Sequence, residues 1–203
     1  MKVIGITGGV GAGKSEVLSY IESAYDAVIV KADSVAAELL KPCGKAYLGI
    51  KGFMPPEIYE EDGSINNRKM ATVFFTDRNF KERVNSVVFP LVKEAIRDII
   101  EEAAYEGKGL LVIEAALLIE EHYDEICDEL WYVYADRDIR AARLRQSRGY
   151  TDERIEAVMQ SQLSDDEFKE GTDVIINNSG DFEETKISID NELLRLGVER
   201  WEQ

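Results

Sequence analysis

Gly8-Gly9-Val10-Gly11-Ala12-Gly13-Lys14-Ser15 fits the pattern G-x-x-x-x-G-K-[ST] at every fixed position. These residue types at this spacing suit the phosphates of a nucleoside triphosphate. Glycines let the backbone curl until its N–H groups converge on one phosphate, at the positive end of the helix that follows. Lys14 is expected to reach the β- and γ-phosphates, and the Ser15 hydroxyl to ligate Mg²⁺. Gly11, Ala12, Gly13, Lys14, Ser15 and Glu16 are therefore the expected nucleotide contacts. A Gly-rich turn could match by accident, but this one lies between an expected strand and an expected helix, the context the chemistry needs.

Two further sets of residues could do chemistry. Arg137, Arg140, Arg143, Arg145, Arg148 and Arg154 crowd into one stretch of an otherwise acidic chain. Arg140 and Arg143 are three apart and share a helix face, as do Arg145 and Arg148. They read either as a solvated face paired with Asp136, Asp138, Asp152 and Glu153, or as a lid over a transferred phosphoryl group. Asp33 stands just past the second expected strand, at the sheet edge that carries ligands in open α/β folds. It could take the proton of an attacking hydroxyl, or it could be a helix N-cap before Ser34-Val35-Ala36-Ala37. His122, the one histidine, sits among Glu120, Glu121 and Asp124 and reads as a surface residue.

The loop alone does not separate a small-molecule kinase from a switch or a motor. An Asn-Lys-x-Asp base-reading segment is missing, and Asp62-Gly63 lacks the spacing of a GTPase D-x-x-G. A nucleotide-dependent switch is the reading from a different class, and phosphate transfer to water as the main reaction would favour it.

The elements that must position these groups follow from apolar patterning. Val3–Ile6, Ala27–Val30, Leu110–Ile113, Leu130–Tyr134 and Asp173–Ile176 are short buried runs expected as strands. Helical spacing is expected over Ser15–Ser23, from Ala32 to about Leu40, from about Asn67 to Ala104, and from Phe182 to Leu196. Pro90 is expected to mark a boundary or kink in the third of these, and Leu117, Leu118 and Ile119 a short helix. Residues 136–162 read as two helices hinged near Gly149, and the Gly- and Pro-rich stretch 42–66 as irregular. Strands alternating with helices imply a parallel sheet covered on both faces.

At 203 residues, 45% hydrophobic and 32% charged, the chain is one globular unit. Nothing approaches the roughly 20 apolar residues of a membrane span, and Met1–Thr7 lacks the features of a secretory signal. The expectation is a cytoplasmic protein without a membrane partner, with Cys43 and Cys127 as free thiols. A net charge of −16 argues against a nucleic-acid partner. It also requires the few cations to be concentrated where anionic substrates bind. Oligomeric state is not legible.

Taken together, these motifs resemble the dephospho-coenzyme A kinase family over nearly the whole chain. The resemblance is carried by Ile6–Ser15, Ala32-Asp33-Ser34-Val35-Ala36, Asn67-Arg68 with Val73-Phe74 and Val84-Asn85, Leu117-Leu118-Ile119-Glu120, Arg143, Gln162 and Asp173–Gly180. It implies a P-loop NTPase fold: a three-layer α/β/α core with a five-stranded parallel sheet, an inserted helical substrate-binding lobe and a lid. The core would be about 1–33, 105–136 and 163–203, the coenzyme lobe about 34–104 and the lid about 137–162. The implied reaction moves the γ-phosphate of ATP to the ribose 3′-hydroxyl of dephospho-coenzyme A, the last step of coenzyme A synthesis. A kinase of another small metabolite, such as a nucleoside monophosphate, is the runner-up.

The resemblance assigns catalysis to Lys14, Asp33 and Arg143, substrate contacts to Asp33, Arg68 and Arg148, and adenine contact to Asn178. Glu16 stands where the family usually has a hydroxyl residue, Phe89 where it usually has histidine, and Ala116 where proline is common. Glu114, ending the third strand, could support Mg²⁺ through water.

Overall fold

The computed structural model describes residues 1–201. In chain order the elements are β1 (Lys2–Thr7), α1 (Lys14–Tyr25), β2 (Val28–Lys31), α2 (Ala32–Leu39), α3 (Lys45–Lys51), a 3-10 turn (Pro56–Ile58), α4 (Asn67–Thr76) and α5 (Arg78–Tyr105). Then follow β3 (Leu110–Glu114), a second 3-10 turn (Tyr123–Glu125), β4 (Glu129–Tyr134), α6 (Arg137–Arg148), α7 (Asp152–Gln160), α8 (Asp165–Glu170), β5 (Val174–Asn177) and α9 (Phe182–Arg195).

The expected five-stranded parallel sheet is present, in the order β2-β3-β1-β4-β5. β1 is central: Ile4 pairs with Val112 on one side and Glu129 on the other. Its two neighbours follow it in the chain but lie on opposite sides, so the loop leaving β1 opens at a topological switch point, where such sheets bind ligands. The strands are apolar throughout because both faces are covered.

Ile4, Ile6, Val17, Leu18, Ile21, Val112, Trp131, Val133, Ile176, Ile189 and Leu193 form one buried cluster, joining α1 and α9 to the sheet. Each such aliphatic side chain contributes about 1.5–3 kcal/mol. That rigid base fixes both ends of the loop between β1 and α1.

Residues 1–30 with 102–201 form one compact unit and residues 31–101 a second. Within the second unit, Tyr47 Oη donates to the Gly63 carbonyl at 2.9 Å. Phe80 contacts Phe53 and Phe74 edge-on or tilted, and Arg83 lies 4.0 Å from the Phe53 ring.

Three expectations need correction, and one helix was not foreseen. The 42–66 stretch is not simply irregular, since it contains α3, which buries Ala46, Tyr47 and Ile50. Pro90 lies inside α5, so of the boundary and the kink expected there the boundary is excluded. An interior proline costs about 3 kcal/mol. Here Val84, Val88, Val92 and Ile96, spaced by four, are all buried and carry the helix through it. Leu117-Leu118-Ile119 forms turns, not a helix, with only Leu118 fully buried. α8 was not anticipated, although Ser164 and Glu167 form a reciprocal capping box at its start. The hinge at Gly149 stands: it ends α6 with φ 61°.

Candidate active site

The loop from Gly8 to Gly13 is held from outside through its carbonyls. Lys14 Nζ donates to the Gly8 carbonyl at 2.6 Å. Arg140 Nε donates to Val10 at 3.0 Å. Arg143 Nη1 reaches the carbonyls of Gly11 and Ala12 at 3.5 and 3.2 Å, and Asn178 Nδ2 donates to Ala12 at 2.8 Å. With these carbonyls engaged by side chains, the loop N–H groups are the donors left to a ligand. Those of Gly11, Gly13 and Ser15 have no protein acceptor among the described residues. Gly13 caps α1 at φ 92°, in the left-handed region that only glycine adopts freely. The result is a set of oriented donors at a helix N-terminus, which binds an anion.

β5 and α9 supply the second support. Asn178, one residue past β5, is 1% exposed, and Thr185 Oγ1 donates to its Oδ1 at 3.1 Å. Arg143 Nη2 donates to the Asn178 backbone carbonyl at 2.9 Å. One guanidinium therefore ties α6, the phosphate loop and the end of β5 together. Its interactions are with main-chain carbonyls rather than with surface acids. Arg137 and Arg145, by contrast, pair with Glu156 and Asp152 on the exposed side.

The structure thus gathers Gly11, Ala12, Gly13, Lys14, Ser15, Arg143 and Asn178 into one place. Ser15 and Glu16 are exposed in the first turn of α1. Among the described residues the Ser15 hydroxyl has no protein partner, so a hard oxygen donor is available in the first turn of α1. Glu114 ends β3 opposite Ile6 of β1, on the edge from which the loop springs. Among the described residues no three His, Cys, Asp or Glu side chains gather as a metal site. Arg148 is at the exposed end of α6, 5.9 Å from the Tyr150 ring.

Asp33 and Arg68 belong to the second unit. Asp33 is exposed in the first turn of α2, whose N-cap is Lys31, so the N-cap reading of Asp33 is set aside. Its carboxylate accepts no hydrogen bond among the described residues. Arg68 is exposed in the first turn of α4.

Sequence reasoning missed three contributors: Arg140 as a buried residue, Asp165 and Thr185. Arg140 was visible as a partner of Arg143 on one face, but burial has no local signature. Asp165 was findable from the Ser164-x-x-Glu167 pattern, which places it at a helix start. Nothing in the sequence marks Thr185.

A family model described as dephospho-CoA kinase matches residues 2–184. This chain belongs to the dephospho-CoA kinase family. A dephospho-CoA kinase of Dehalococcoides mccartyi is 32% identical over 186 residues, covering 92% of this chain and 93% of its own. One from Carboxydothermus hydrogenoformans is 32% identical over 189 residues, covering 93% and 91%. Among solved structures, a Thermus thermophilus protein is 25% identical with a TM-score of 0.79, covering 96% and 97% of the two chains. The dephospho-CoA kinase of Campylobacter jejuni shares the fold at 18% identity and a TM-score of 0.70, covering 97% and 98%. Family membership covers both the phosphate loop and the 31–101 unit, so both units belong to one kinase architecture. No helix among the described residues is long and apolar enough to cross a membrane.

Proposed function

We propose that this chain transfers the γ-phosphoryl group of ATP to the ribose 3′-hydroxyl of dephospho-coenzyme A, giving coenzyme A and ADP. The observation that carries this reading is the loop Gly8–Gly13, held through its carbonyls, in a chain matched by the dephospho-CoA kinase model along most of its length.

Loop N–H groups and Lys14 hold the β- and γ-phosphates, with Lys14 exchanging the Gly8 carbonyl for phosphate oxygen. Asn178 braces the side of the loop next to the adenine. Asp33 orients the 3′-hydroxyl and accepts its proton as oxygen attacks phosphorus; the bond to the β-phosphate oxygen breaks and ADP leaves. Arg143 neutralises charge on the transferring group, while Arg68 and Arg148 contact substrate phosphates. The 31–101 unit holds the coenzyme, and the α6–α7 region acts as the lid, turning on Gly149. Ser15 would hold Mg²⁺, with Glu114 in support through water; when bound, the ion would supply charge neutralisation to the phosphates. On this reading the reaction runs in the cytoplasm.

An acceptor panel tests the substrate. Dephospho-coenzyme A should exceed adenosine monophosphate, other nucleoside monophosphates and simple sugars in kcat/KM by at least about a thousandfold, as expected where a site pairs with specific substrate groups. A nucleoside monophosphate phosphorylated equally well would replace this reading with the runner-up.

A further inference from the structure

Arg140 is the one arginine of the α6–α7 region that the fold buries completely, with 7% of its surface exposed. A buried guanidinium is costly unless its donors are matched. Its carboxylate neighbour, Asp165, is at 3.5 Å, a long contact, and Asp165 Oδ1 is already taken by Tyr132 Oη at 2.7 Å. The shortest bond Arg140 makes is instead the one to the Val10 carbonyl. The same residue is held from the other side, because the Val10 N–H donates to Gln162 Oε1 at 2.9 Å. Gln162 Oε1 in turn faces Arg140 Nη2 at 3.4 Å. Both main-chain groups of Val10 are therefore pinned by side chains from outside the loop.

The approach is also close. A β-carbon on Gly9 would stand 2.2 Å from Arg140 Nη2, and one on Gly11 would stand 2.9 Å from the Arg140 carbonyl oxygen. The loop is seated directly on this residue, and Gly9 leaves the space the guanidinium fills. Arg140 also brings a fixed positive charge beneath a phosphate-binding loop in a chain of net charge −16.

We propose that Arg140, with Gln162 and Asp165, is a clamp that positions the crest of the phosphate loop. Nucleotide affinity and turnover then depend on the junction between α7 and α8. Arg140 is a positioning residue, acting through Val10 and Gly9. The inference rests on the loop being the ATP site and is independent of which acceptor is phosphorylated.

The test measures ATP·Mg²⁺ binding by calorimetry, together with kcat and both KM values, for Arg140→Met, Arg140→Lys and Asp165→Asn. Arg140→Met should weaken ATP binding at least about tenfold and lower kcat, leaving the KM for dephospho-coenzyme A within about twofold. Arg140→Lys should recover part of the loss through its charge. Gly9→Ala should reproduce the defect in the wild type and add little in the Arg140→Met background, since the collision it creates is then gone. A folded Arg140→Met protein with unchanged ATP binding overturns the proposal, and so does an equal loss for both substrates. Should Arg140→Met fail to fold, Gln162→Leu and Asp165→Asn carry the test, and unchanged ATP binding in both overturns it. If the wild type binds ATP but ignores dephospho-coenzyme A, the acceptor reading falls while the binding ratios still decide the clamp.

Discussion

The Asn178 amide nitrogen donates to the Ala12 carbonyl at 2.8 Å and would stand 2.2 Å from a β-carbon on Gly13. The two residues are 165 positions apart, yet each fixes the other. Gly13 must be glycine both for its φ of 92° and for the room Asn178 occupies. Gly13→Ala should therefore abolish measurable ATP binding by calorimetry. Asn178→Ala removes the buried bond to the Ala12 carbonyl and leaves Thr185 only the Asn177 carbonyl as acceptor, and should cost about 1–3 kcal/mol in denaturant unfolding while raising the ATP KM.

Asp33 separates chemistry from folding cleanly. It is exposed, caps nothing and has no hydrogen-bond partner among the described residues. Asp33→Asn should lower kcat by about 10²–10⁴, the range of general-base contributions, with the ATP KM unchanged. Stability should change by no more than about 0.3–1 kcal/mol, the value of a carboxylate at a helix start. Unchanged turnover would remove Asp33 from the base role.

The two thiols should react very differently. Burial, followed by the charges of Asp128 and Asp124, pushes the Cys127 thiol up to about 12, whereas Cys43 is exposed. Iodoacetamide at pH 8 should alkylate Cys43 alone in the native protein and both in denaturant, read by peptide mass. Native labelling of Cys127 would contradict the packing around it.

Alkaline pH should weaken the contact between α1 and α9. Tyr20 and Tyr25 both donate to Asp190 Oδ1, at 2.6 and 2.7 Å. Burial first, and then Asp190, pushes Tyr20 up to about 12 and Tyr25 up as well. Between the ordinary value near 10 and the raised one, the unfolded chain holds fewer protons than the folded one. Stability present below pH 10 is therefore lost as pH rises toward 12. Asp190→Asn should flatten that fall in a series of melts.

Much of the fold was legible because buried parallel strands are written as uninterrupted apolar runs. Leu110–Ile113 and Leu130–Tyr134 each came within one residue of the observed ends. The phosphate loop was legible because its chemistry is local: every residue it needs is contiguous. What failed was non-local or short. α3 is seven residues long among glycines and prolines, too brief for periodicity to register. At Pro90 the boundary reading failed because local sterics were outweighed by the buried stripe running past it. Arg140 and Arg143 look alike in sequence, and only the packing of α6 on the loop tells them apart. Asn178 was placed by resemblance, but its amide bond to Ala12 depends on β5 lying two strands from β1.

The most direct test is ADP release from ATP·Mg²⁺ with and without dephospho-coenzyme A, with the product identified by mass and by the position of its new phosphate. The account predicts ADP only when the acceptor is present, and one phosphate added at the ribose 3′-oxygen. ADP formed at the same rate without the acceptor, or a phosphate on any other oxygen, would contradict it.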